Sequence, residues 1–242
     1  MELTPVLRSE WLKIRTLRSL PGALLALFAA TTAFSAIAGA SDTSDPGFDP
    51  LFTALSGVIP GQIAAVSFGA MAVSSEFRSG ALRLSLAAVP RRGRWFAAKA
   101  AVIAVPTLLV GWATALAALL VARAGLGPAA DGLTTGEQVR GVVGCGVYLM
   151  LMALFAAGLT ALLRSGTATL SLLIPFILVV SFVIGDATGT VADFLPDKAG
   201  QSVLRQTYDG ASLGPWPGLA VTALWAVAAL LVGAWSLRRR DA

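Results

Sequence analysis

The chain has 242 residues, of which 56% are apolar and 13% charged, and its mean hydropathy is +0.78. That balance excludes an ordinary soluble domain and describes a membrane protein. With one cysteine and no histidine, intramolecular disulfides and the usual zinc and haem ligand sets are excluded as well.

Residues 1–19 read as an interfacial helix. Leu3, Val6, Leu7, Trp11, Ile14 and Leu17 share one arc of a helical wheel, with Arg8, Lys13 and Arg15 outside it. Glu10 projects from the apolar arc. Either it lies at the arc's edge and reaches headgroup water, or it docks a cation on another element or a partner.

Six apolar runs of bilayer-crossing length follow, at about 21–40, 51–73, 100–122, 141–163, 167–185 and 216–237. The first, with its basic lead and small-residue end, is also compatible with a signal peptide. Its length and amphipathic leader favour a span. Residues 41–50, with three aspartates and no cation, form a short outer loop. In the second run Gly57, Pro60 and Gly61 break or kink the outer third. The glycine pair either admits a neighbouring helix or marks a re-entrant turn.

Residues 74–99 are the basic hinge of the chain, with Arg78, Arg83, Arg91, Arg92, Arg94 and Lys99 against the single acid Glu76. So basic a loop between spans stays on the cytoplasmic side. Residues 76–89 hold no proline and one glycine, so a short helix is expected there, stopped by Pro90 and Gly93. Pro106 and Pro175 are expected to kink the third and fifth spans. Gly141, Gly144, Cys145 and Gly146 form a smooth patch for close packing in the fourth. The segment 186–215 is read as small surface helices on or dipping into the outer leaflet. Its Asp186, Asp193, Asp197 and Asp209 are read as solvated charge in preference to a divalent-ion site. Trp216 and Trp235 serve as interfacial anchors of the last span.

Counting charges fixes the expected orientation. Fourteen of the eighteen cations fall on proposed inner segments and nine of the thirteen acids on outer ones. Both termini are therefore expected in the cytoplasm. This sidedness accounts for the net charge of +5, which in a soluble protein would have suggested nucleic acid. The expected fold is an all-α integral membrane protein: an N-terminal interfacial elbow (1–19) and a six-span domain (20–242), with a short cytoplasmic helix between spans two and three.

No span as drawn holds an Asp, Glu, Lys or Arg. That argues against an ion-gradient carrier and a voltage sensor. The mild polar groups, among them Gln62, Ser67, Tyr148 and Ser171, suit either helix packing or a weakly polar path for an amphipathic cargo. There is no phosphate-binding loop and no catalytic constellation. Energy for uphill transport would have to come from another subunit.

The residues resemble the permease subunits of type-2 ABC exporters, especially actinobacterial ones. The match lies in Ser9-Glu10-Trp11-Leu12-Lys13-Ile14-Arg15-Thr16, in Glu76-Phe77-Arg78-Ser79-Gly80-Ala81 followed by Leu86, Pro90-Arg91-Arg92-Gly93-Arg94 and Lys99, and in Leu195-Pro196 with Ala199-Gly200-Gln201. Family members more often carry Thr where Ala81 stands. The resemblance implies a bacterial plasma-membrane permease, paired with a second permease and bound to two cytoplasmic ABC ATPase subunits. ATP and magnesium would sit on those subunits, with no cofactor on this chain. It further implies that Glu76, Arg78 and Arg83, supported by Glu10, contact the ATPase through a coupling helix. The competing reading is a non-transporting scaffold or sensor that recruits a cytoplasmic partner.

Overall fold

A computed structural model describes residues 3–40, 48–78, 92–180, 189–206 and 213–239. Among them all regular structure is helical. Five helices are long and apolar enough to cross a membrane, and a sixth, Gly166–Val179, is apolar but shorter. By the length and composition of its helices the chain is a multi-pass membrane protein.

The elbow helix α1 (Leu3–Thr16) passes into α2 (Ser19–Gly39) across two residues. At 21 residues α2 is about 30 Å long, a bilayer's hydrocarbon thickness. The second expected span is divided. Asp49 caps α3 (Pro50–Leu55) by accepting from the Phe52 N–H at 2.9 Å, with Pro50 in the first turn where its missing N–H costs nothing. The helix breaks at Ser56–Gly57 and resumes as α4 (Val58–Arg78). Of the two readings of the glycine pair, close approach of a neighbouring helix is the one the structure shows. Gly57 lies in the break, and a Cβ there would stand 2.0 Å from the Thr31 carbonyl oxygen; one at Gly61 would strike the Thr31 hydroxyl. Helices α2 and α4 touch because those side chains are missing.

The third span is longer than expected. Helix α5 (Arg92–Leu126) has 35 residues, roughly 52 Å, and runs on through Pro106. Helix α6 (Thr135–Leu163) opens on a capping box in which Thr134 and Glu137 satisfy each other's backbone N–H groups. It is the central helix: two-thirds of its apolar stretch is buried inside the protein, against 22% for α2. Helices α4 and α5 pack on it, as does α9 (Pro215–Arg239).

Arg164 ends α6 in the left-handed conformation at φ 55°, and the Ser165 hydroxyl caps α7 (Gly166–Pro175). Beyond Pro175 the helix loosens into a π turn, Phe176–Val180. The rest of the expected fifth span, 181–185, lies outside the described residues.

The segment before α9 differs from expectation. Its short helices, including α8 (Pro196–Gln201), do not lie on a surface: Pro196, Asp197, Ala199, Gly200, Val203 and Leu204 are buried against α6 and α9. Glycines make the room. A Cβ at Gly144 would meet Val203 at 2.2 Å, and one at Gly200 the Tyr148 ring at 2.3 Å. The Thr222 hydroxyl and the Trp225 indole, both on α9, donate to the carbonyls of Pro196 and Phe194. The short apolar patches of 194–204 do not by themselves show this burial, which depends on gaps left in two distant helices.

Large apolar side chains point outward along the bundle, among them Leu25 and Ile37 on α2, Leu109 and Leu120 on α5, and Leu224 and Leu231 on α9. Lipid is the solvent that tolerates such a surface. Trp216 and Trp235 stand exposed near the two ends of α9, with the Arg239 guanidinium 4.5 Å from the Trp235 ring centre.

Candidate functional site

The most polar interior feature lies where α1 crosses the ends of α4 and α5. The face that α1 turns to the bundle carries Ile14 and Glu10, both buried, with Val6, Leu7 and Lys13 half-buried beside them. The apolar arc therefore divides: Trp11 and Leu17 are exposed, and Glu10 sits on the packed side. A carboxylate buried there must find cations.

It finds two. Glu10 Oε2 accepts from Lys99 Nζ at 2.5 Å, and its Oε1 accepts from Lys13 Nζ at 2.8 Å and from the Trp95 indole at 3.2 Å. Glu76 Oε1 accepts from the same two lysines, Lys99 at 2.7 Å and Lys13 at 2.9 Å. The four ions thus alternate in a closed ring, Glu10–Lys99–Glu76–Lys13, with formal charge zero. Three helices supply them: α1, α4 and α5. Side chains of Glu10, Glu76 and Lys99 are 2–4% exposed, whereas that of Lys13 keeps 30%. Lys13 is the edge that meets water.

The electrostatics follow. Burial alone would raise the Glu10 carboxyl, but the Lys99 charge together with hydrogen bonds from Lys13 and Lys99 holds it below its ordinary value. Burial would likewise lower Lys13, and its bonds to Glu10 and Glu76 and their charges hold it above its ordinary value. A lowered carboxylate adds stability that is present above its unfolded pKa and lost as pH falls through the folded one. A raised lysine adds stability that is present below its unfolded pKa and lost as pH rises through the folded one. The thermal midpoint of the detergent-solubilised protein should therefore be flat through neutrality. It should fall only below the ordinary carboxylate range or above the ordinary lysine range. A decline already under way between pH 7 and 6 would contradict this.

Two of the residues expected to touch a partner, Glu10 and Glu76, are turned inward to this ring. Of the two readings of Glu10, docking a cation on another element is the one realised, and the headgroup-water reading is not. Arg78 is the last residue of α4, and Arg83, with the rest of the expected cytoplasmic helix, lies outside the described residues. Sequence reasoning assigned no role to Lys13 or Trp95 and counted Lys99 as a loop cation. The usable signal was that Glu10 and Glu76 are the two acids nearest apolar stretches on a side otherwise rich in cations.

Of the residues expected to line a path, the structure joins Gln62 and Tyr148. The Tyr148 hydroxyl donates to Gln62 Oε1 and accepts from Gln201 Nε2 at 3.4 Å, and both Gln62 and Tyr148 are buried. Ser67 is half-buried on α4 and Ser171 exposed on α7. Neither is brought to that pair. Asp197 is 2% exposed, which overturns its reading as solvated charge. Asp186 and Asp209 lie outside the described residues, and among the described residues no group of acids, Cys or His could hold a metal ion. Cys145 is buried among packed helices.

Compared with known proteins, the chain matches no protein-family profile, and no curated protein matches it in sequence.

Proposed function

We propose that this chain is the membrane-spanning permease subunit of an ATP-driven exporter of the type-2 ABC class, in the plasma membrane of a bacterium. The observation that carries the reading is where the charge gathers. The ion ring, the helix ends that flank the basic segment 79–91, and Arg238, which approaches Gly93, all lie at one end of a bundle whose long apolar helices carry no charge at mid-length. At mid-length the described long helices offer no Asp, Glu, Lys or Arg with which to draw on an ion gradient, and the basic segment 79–91 gives a partner a charged handle at that end. A cytoplasmic ATPase acting on 79–91, with ATP and magnesium on its own chain, supplies what this chain lacks.

Six crossings fit the same reading. Gly166 abuts Ser74 near the ring end, whereas Val203 and Pro196 meet Gly144 and Thr222 toward the other. In this reading α7 supplies the sixth crossing, joining those two ends. Both termini then lie on the cytoplasmic side, as the charge count requires.

The path is assigned to the interface between two permease copies. Among the described residues helix α7 packs mainly against α4 and α6, and Thr167, Ser171, Leu172 and Pro175 form an exposed, weakly polar face on it. An amphipathic cargo such as a drug, peptide or lipid suits that face. Arg78 and Arg83 are the residues retained for direct contact with the ATPase. Arg83→Glu should weaken co-purification of the ATPase with the permease while leaving membrane insertion intact. Unchanged co-purification and transport would remove the assigned role.

A second reading, a scaffold or sensor that recruits a cytoplasmic partner without transport, is favoured by the closed Gln62–Tyr148 contact, which leaves those groups no cargo to bind. Substrate-stimulated ATP hydrolysis by the reconstituted complex decides between them.

A further inference from the structure

We infer that the four-ion ring pins α1, the end of α4 and the start of α5 into one rigid joint, in which Glu10 and Lys99 act as positioning residues and touch no partner. The assignment of what pushes this joint rests on the function proposed above; the joint itself does not.

The geometry of a closed ring carries the argument. Each carboxylate is bonded to both lysines and each lysine to both carboxylates, so no member can leave without stranding charge in a water-poor interior. Separating any one of the three helices from the others breaks at least two of these bonds. The Trp95 indole adds a further tie between α1 and α5. Along much of their length the helices also meet through glycine and apolar residues, contacts that let surfaces slide more readily than a ring of paired charges. The ring end is the part of the bundle built not to slide.

Its position gives the joint a use. Segment 79–91 leaves α4 two residues after Glu76 and enters α5 seven residues before Lys99. Displacement of that segment is delivered to both helix ends and, through Glu10, to α1. Helix α1 is joined to α2 by Leu17 and Arg18 alone, and the linker is tied to both helices: the Leu17 N–H donates to the Lys13 carbonyl, and the Leu20 and Gly22 N–H groups donate to the Leu17 and Arg18 carbonyls. The first span is thereby moved by a push on the loop between the second and third. The inward-facing carboxylates transmit the push and do not receive it.

Two charge-neutral double variants test the pin. Glu10→Gln/Lys99→Met removes the α1–α5 ion pair and keeps Glu76 with Lys13. Glu76→Gln/Lys13→Met keeps Glu10 with Lys99 and Trp95. Neither leaves an uncompensated buried charge, so both should fold. Spin labels on Arg8→Cys and Arg94→Cys, both at exposed positions, report the α1–α5 distance in the full chain in lipid nanodiscs; buried Cys145 stays unlabelled. The otherwise native chain and the second variant should each give a single narrow distance, and the first variant should lose it. Narrow distributions in both variants, or equal broadening in both, overturn the inference. The measurement needs no ATPase. If the expected pattern appears and no ATPase co-purifies with the native chain, the joint stands and the proposed function falls.

Discussion

Lys99→Met should destabilise this protein more than any other single substitution at the ring. It would leave Glu10 and Glu76, both buried, facing one lysine, so one carboxylate charge is stranded. Removing one partner of a buried ion pair costs about 3–5 kcal/mol, a large part of a typical folding free energy of about 5–15 kcal/mol. The sharper expectation is the comparison with Glu10→Gln/Lys99→Met. Deleting both partners restores neutrality, and buried pairs replaced together are often close to neutral in stability. The double variant should therefore melt above the single one. Thermal unfolding followed by size-exclusion chromatography in detergent reads this directly. A double variant that melts below Lys99→Met would show that the ring stabilises through packing and not through charge balance.

Gly69→Ala is the second. Gly69 faces α6, where a Cβ would stand 2.0 Å from the Ala153 carbonyl oxygen and 2.8 Å from its carbon. These are backbone atoms, which cannot rotate aside, so α4 and α6 must separate along their whole contact. Overpacking of this kind costs about 1–3 kcal/mol and sometimes more. The control is Gly22→Ala in α2, where a Cβ meets nothing within 4 Å. There the better helix propensity of alanine should stabilise by roughly 0.5–1 kcal/mol. Opposite shifts in melting temperature for one chemical change would tie the first to close approach. Equal shifts would not.

The contrast between these two glycines marks how far the sequence could be read. Both stand in apolar runs with similar neighbours, and nothing in either run says which one touches another backbone. Gly57 and Gly61 were legible as a pair because their spacing places them on one helix face. Two readings were still open until Thr31 was seen against both. Glu10 was conspicuous for a related reason: it broke an apolar arc. Its partner was not legible, because Lys99 lies 89 residues away and reads locally as one more cation of a basic loop.

The segment before the last helix was misread in the opposite direction. Asp197 and its neighbours have a polar local composition, and polar composition in a short stretch implies solvent. Burial was decided by Gly144 and Tyr148 on α6 and by Gly218 and Thr222 on α9, which leave a slot of the right shape.

By itself the sequence determined that the chain is helical, that its helices are made for lipid, and the approximate bounds of the first and last spans. These properties follow from runs of apolar residues and from local caps, which act over a few turns of one helix. Tertiary structure alone decided which charges meet, which glycines bear on a neighbour and which polar segment goes inside. Those depend on side chains brought together from distant positions, and a buried charge or a missing Cβ acquires its energetic meaning only from the atom placed opposite it.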